Sequence, residues 1–154
     1  MSMRPEGGEI QYLGEFGVTR SCIQAVERLL YRSHEIEEVR LMSCDRRHAF
    51  LFTLVGGEFI VVRAGFTSDS GEGSRGLRRA LNLIHSVALD IEEYNLDRKL
   101  FDRLNGGRLS WTEFERIIQL RPVRPPQLYD YGLSYAQSSQ MSGNLWNDVD
   151  PTFA

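Results

Sequence analysis

Lysine is almost absent from this chain of 154 residues: Lys99 stands alone among eighteen basic residues, and the other seventeen are arginines. The planar guanidinium fork suits carboxylates, phosphates and interfaces better than an ammonium does, although GC-rich codon usage favours the same choice. Cysteine is scarce too, with only Cys22 and Cys44. Cys22 falls in a helical pattern and Cys44 in a strand, so two buried free thiols are expected rather than a disulfide, as suits a reducing compartment. His34, His48 and His85 are scattered without the paired spacing of a metal site, so no metal and no cofactor is implied. No segment approaches the roughly 20 apolar residues of a membrane helix. Residues 1–8 hold no apolar stretch, so no signal peptide is expected. The expectation is a cytoplasmic protein that makes no use of a membrane.

Positive charge is missing from the last thirty residues. Pro125–Ala154 carries only Asp130, Asp148 and Asp150, whereas 18 basic and 18 acidic residues balance in the first 124. A net charge of −3 weighs against a generic nucleic-acid coat. The chain reads as one α+β domain over 1–124, followed by an extended Pro/aromatic/polar tail over 125–154. Pro122, Pro125 and Pro126 demand extended backbone there. Tyr129, Tyr131, Tyr135, Trp146 and Phe153 then punctuate a Ser/Gln/Gly/Asn background. Inert linkers omit aromatics, and Tyr and Trp are common interface anchors. These five are therefore candidate partner-binding residues, docking on the protein's own body or on another chain.

Within the body, Glu9–Leu13 can form a short strand. Ser21 and Gln24 have the spacing of a capping box, which predicts a helix starting near Ser21 with Cys22, Ile23, Val26, Leu29 and Leu30 on its apolar side. Three strands are expected next, at Val39–Cys44, His48–Val55 and Glu58–Gly65, with turns at Asp45-Arg46-Arg47 and Gly56-Gly57. Phe50–Val55 is apolar on both faces and belongs in the middle. A second helix over Ser74–Ala88 carries the stripe Leu77, Ala80, Leu81, Ile84 and Ala88. Asp90–Leu96 can add a fourth short strand. Asp97 and Ser110 are positioned to cap the two helices of a C-terminal hairpin, the second burying Trp111, Phe114, Ile117 and Ile118. The predicted architecture is a three-stranded antiparallel meander with helices on one face.

Few motifs point to chemistry. Ser70-Gly71-Glu72-Gly73-Ser74-Arg75-Gly76 follows a strand and opens a helix, where free amides and glycines suit an anion. Gly71, Gly73, Ser74, Arg75, Arg78 and Arg79 are thus candidate ligand residues for a phosphorylated or carboxylate group. The stretch lacks the terminal Gly-Lys-Ser/Thr of a P-loop and the parallel βαβ setting of a dinucleotide fingerprint. Cys44-Asp45-Arg46-Arg47-His48 reads as a solvated turn. Glu37-Glu38 and Glu92-Glu93 read as solvated edges, since adjacent residues point in different directions. No nucleophile elbow or kinase signature occurs. Gly107–Phe114 resembles the second half of an EF-hand loop, but in that register Leu104 and Gly106 fall where oxygen ligands are required.

These features favour a non-catalytic protein-interaction module: an adaptor, accessory subunit or inhibitor of a larger bacterial-type complex. The competing reading is a small binding domain or enzyme that takes an anionic ligand at the Gly-rich loop. For calcium the expectation is no binding and no stabilisation. A micromolar site at millimolar Ca²⁺ would add about 4 kcal/mol, so a Tm that stays flat on adding Ca²⁺ and then chelator checks this.

Overall fold

A computed structural model describes residues 10–134, and they build three layers around one sheet. The elements run β1 (Ile10–Leu13), α1 (Thr19–Leu30), β2 (Ile36–Cys44), β3 (Arg47–Leu54), β4 (Phe59–Thr67), α2 (Glu72–Ser86), β5 (Ile91–Asn95), α3 (Arg98–Asn105) and α4 (Trp111–Ile118), with a 3-10 turn at Leu128–Tyr131. The strand order is β1-β4-β3-β2-β5. The pairs β2–β3 and β3–β4 are antiparallel, while β1 joins β4 and β5 joins β2 in parallel.

The sheet is therefore five-stranded and mixed rather than a three-stranded antiparallel meander. The antiparallel hairpins form only its middle. Nor do the helices share a face. Side chains alternate along a strand, so β3 sends Phe50, Phe52 and Leu54 one way and Ala49 and Leu51 the other. Both sets are buried, so both sides need a cover. α1 and α2 bury Cys22, Val26, Leu29, Leu77, Leu81 and Ile84 against the first. α3 and α4 bury Leu100, Phe101, Leu104, Phe114 and Ile117 against the second.

Local signals behave unevenly. Asp97 accepts from the Leu100 amide at 2.8 Å, and Ser110 and Glu113 make the full reciprocal capping box. The expected Ser21 box does not form. Val18 is the N-cap of α1, and Ser21 Oγ instead accepts from the Glu15 amide at 2.9 Å. The Gly-rich stretch starts α2 two residues earlier than expected, with Gly71 at the N-cap at φ 84°, a conformation costly for other residues. Gly76 sits inside the helix and not in the loop. A methyl there would overlap Thr19 of α1, so its small size sets how closely the two helices cross.

The pairing of β3 with β4 slips between His48 and Phe50, leaving the β4 segment Arg63–Gly65 without regular partners. The orphan groups are taken up from both sides. Ala64 N–H donates to Asn105 Oδ1 at 2.7 Å, Ala64 O accepts from the Gly17 amide, and Gly65 O accepts from Thr19 Oγ1 at 2.6 Å. Asn105 is 5% exposed, and its amide also donates to Phe101 O at 2.8 Å. Asn105→Ala strands a buried amide and opens a small cavity. The expected loss is about 2–4 kcal/mol of unfolding free energy, read by urea denaturation.

Candidate functional site

Two polar constellations stand out on the α1/α2 side of the molecule. One is on the surface and the other is buried. The surface one follows from helical spacing. Arg75, Arg78, Arg79 and Asn82 all fall on the outer side of α2, because its inner stripe is taken by Gly76, Leu77, Ala80, Leu81 and Ile84. With Leu83 and Ser86 they line an open groove of about 460 Å³. Arg79 is committed to Glu27 of α1 at 2.7 Å. Arg75 and Arg78 make no ion pair among the described residues, and both are exposed.

A second hollow of about 390 Å³ adjoins this groove, sharing Leu83 and Ser86 and adding Glu27, Leu30, Tyr31 and Val87. Tyr31 is 86% exposed and Val87 37%, high values for large apolar side chains. The outer face of α1 and α2 is therefore basic at one end and apolar at the other.

The Gly-rich loop does not join this surface. Gly73 lines a separate hollow with Phe16, Thr19, Arg47, Thr67, Asp69, Ser70 and Glu72, in which acidic side chains outnumber the one arginine. The structure thus keeps the expected anion-site residues together only in part. Arg75, Arg78 and Arg79 share a groove, and Gly71, Gly73 and Ser74 lie at the helix start beyond it.

The buried constellation was missed by sequence reasoning. His48 is 0% exposed, Ser43 2% and Glu93 3%, so neither His48 nor Glu93 is the solvated group that was expected. Only Asp45 and Arg46 form the hairpin turn, with Asp45 in the left-handed region at φ 56°. This two-residue turn pairs Ser43 with His48 across the strands and Cys44 with Arg47. Cys44 and His48 consequently face opposite sides of the sheet. Ser43 Oγ lies 2.7 Å from His48 Nδ1 and donates to Glu93 Oε2 at 2.6 Å. A hydroxyl has one proton, so His48 must carry its own on Nδ1, giving a one-way relay from imidazole through serine to carboxylate.

Tyr131 closes the relay from above. Its hydroxyl donates to Glu93 Oε2 at 2.7 Å, and its ring lies 4.9 Å from the imidazole. Burial lowers the His48 pKa to about 4. Burial, then the hydrogen bond to Glu93, raises that of the Tyr131 phenol. Among the described residues, His48 Nε2 and Glu93 Oε1 are buried without hydrogen-bond partners.

Of the candidate aromatics, Tyr131 and Tyr129 are half-buried and pack on the protein's own core beside Leu128 and Leu133. Tyr135, Trp146 and Phe153 lie outside the described residues. The EF-hand-like stretch is a tight α3–α4 hairpin in which the Glu113 carboxylate receives the Ser110 amide and Arg103 at 2.7 Å. Those two contacts hold its pKa below the usual carboxylate range. Among the described residues no three His, Cys, Asp or Glu side chains converge on a metal position, and no helix is long and apolar enough to cross a membrane.

No family model matches the chain, and no curated protein matches it in sequence. Among solved structures, the fold is similar to that of a chain in respiratory complex I from Thermus thermophilus, with a TM-score of 0.59 and 15% identity. The likeness covers 75% of this chain and 96% of that one, and at such identity it is a likeness of fold.

Proposed function

We propose that this chain is a non-catalytic accessory subunit that docks onto a larger protein assembly through the outer face of α1 and α2. The observation that carries the reading is the joined surface on which Arg75 and Arg78 have no ion pair among the described residues while Tyr31, Leu83 and Val87 form an apolar end. Large exposed apolar side chains beside a polar rim mark contact surfaces, and an unpaired guanidinium offers a bidentate grip on a carboxylate. The occupant is a segment of another protein with acidic side chains at one end and an apolar anchor at the other. Similarity of fold to a chain within a multi-subunit respiratory assembly supports the reading. Tyr135, Trp146 and Phe153 of the 125–154 segment are assigned to the same docking, as an arm added to the body at 1–124.

The competing reading, an anionic small ligand, rests on the same arginines together with the start of α2. The double variant Arg75→Glu/Arg78→Glu separates the two. Both positions are exposed, so the Tm should change little. Losing two charge-assisted contacts should weaken the native complex by at least about tenfold, measured by calorimetry with the isolated partner. A chain ending at Ser134 keeps the Leu128–Leu133 packing while removing the remaining aromatics, and it should bind more weakly at unchanged Tm. Inorganic phosphate binding tightly to the wild type and not to the double variant would favour the small-ligand reading. Unaltered partner affinity in both variants would refute docking by this surface.

A further inference from the structure

Residues 127–134 lie across the α2 side of the sheet and are held at three points. Leu128 and Leu133 are buried in the core. Asn82 of α2 grips the backbone at both donor and acceptor, giving its amide to Gly132 O at 3.0 Å and accepting from the Ser134 amide at 3.0 Å. The third point is Tyr131, on the His48–Ser43–Glu93 relay.

This third attachment is of a different kind, because it covers a group that changes charge in mildly acidic solution. In the closed arrangement Nδ1–H already points at Ser43, so an added proton can go only to Nε2. That atom is buried with no acceptor in reach among the described residues. Among the described residues few charges lie near the imidazole. Glu93 of β5 acts through Ser43 of β2, Asp69 comes from the β4–α2 loop, and Asp130 of the strap acts on Tyr131, whose neutral ring covers the imidazole. Arg78 of α2 lies along Gly132 of the strap. None of these supplies an acceptor to Nε2.

We propose that residues 127–134 are an acid-released strap: a proton enters His48 only when Tyr131 lifts away and admits water to the imidazole. The sign follows from the two states. Closed, His48 resists protonation down to about pH 4. With the strap lifted, it returns to its ordinary value near 6.5. The lifted form therefore binds the proton more readily. The closed form has its full stability above about pH 6.5 and loses it as pH falls toward 4. Lifting uncovers the seats of Leu128 and Leu133 beside α2, so acid would change the apolar surface the protein presents.

Hydrogen exchange on the full chain tests this, with each rate corrected for the intrinsic effect of pH. The reporters are the amides of Gly132, Leu133 and Ser134, which donate to Tyr129 O, Leu128 O and Asn82 Oδ1. Between about pH 7.5 and pH 5, their protection should fall about thirtyfold while that of the Phe50 and Val62 amides holds. In His48→Gln the fall should vanish. In Tyr131→Phe protection should be lower at both pH values, with the pH dependence kept. If His48→Gln does not fold, the imidazole titration followed by NMR in the wild type takes its place, and strap opening must track protonation. Protection that is flat with pH would overturn the proposal, as would a parallel fall in strap and core or a fall that survives His48→Gln.

Discussion

A strand buried on both faces cannot be satisfied by helices on one side, and β3 imposes that requirement on the whole molecule. Phe50 and Phe52 project into one core while Ala49 and Leu51 project into the other, all of them 0% exposed. Leaving either set in water would forfeit about 1.5–3 kcal/mol for each large side chain. The second helical layer therefore decides the fold. The chain reaches it by carrying β5 to the far side of β2, so that α3 and α4 descend over the opposite face. Asn105 joins the layers, lending a side chain of α3 to the backbone of β4 where regular pairing lapses.

The arginines divide by task in a way their number conceals. Several work as structural forks. Arg63 donates to Asn105 O and Gly14 O, Arg103 to Arg108 O and to Glu113, and Arg40 to Ile118 O while lying 4.5 Å over the Tyr94 ring. A lysine could not span two acceptors with one rigid plane, so these positions account physically for part of the preference for guanidinium. Others form exposed ion pairs such as Arg124–Glu92, which are worth little in water. Arg75 and Arg78 belong to neither group among the described residues, and they differ from other such arginines in lining a groove that adjoins the apolar hollow at Tyr31 and Val87.

What could be read from sequence was local. The Asp97 and Ser110 caps, the apolar stripes of α1 and α2 and the central place of Phe50–Leu54 depend on residues within one or two turns of each other. Ser21-x-x-Gln24 misled because the Glu15 amide competes for the serine, and that amide arrives only through a loop packed on β4. The buried relay was hidden by one residue of register. A three-residue turn at Asp45–Arg47 would set Cys44 against His48, whereas the two-residue turn sets Ser43 there. Because side chains alternate, that single step decides which face each residue takes. Glu93 was misread for a related reason. Its neighbour Glu92 does reach solvent and Arg124, but nothing local says that Glu93 turns inward beneath Tyr131.

The mixed sheet also implies an order of assembly. β2, β3 and β4 are joined by short turns, so their pairing closes small loops. β1 meets β4, and β5 meets β2, across separations of roughly fifty residues, at a greater loop-closure cost. Local pairings form early and distant ones late in such topologies, so the central hairpins should belong to the folding nucleus and the two parallel edges to its periphery. Mutational φ-values near one at Leu51 and near zero at Tyr12 and Tyr94 would express that order, and the reverse ranking would refute it. During synthesis β1 emerges first yet must wait for β4 before it can pair, and the second core closes last, because α3 and α4 follow β5 along the chain.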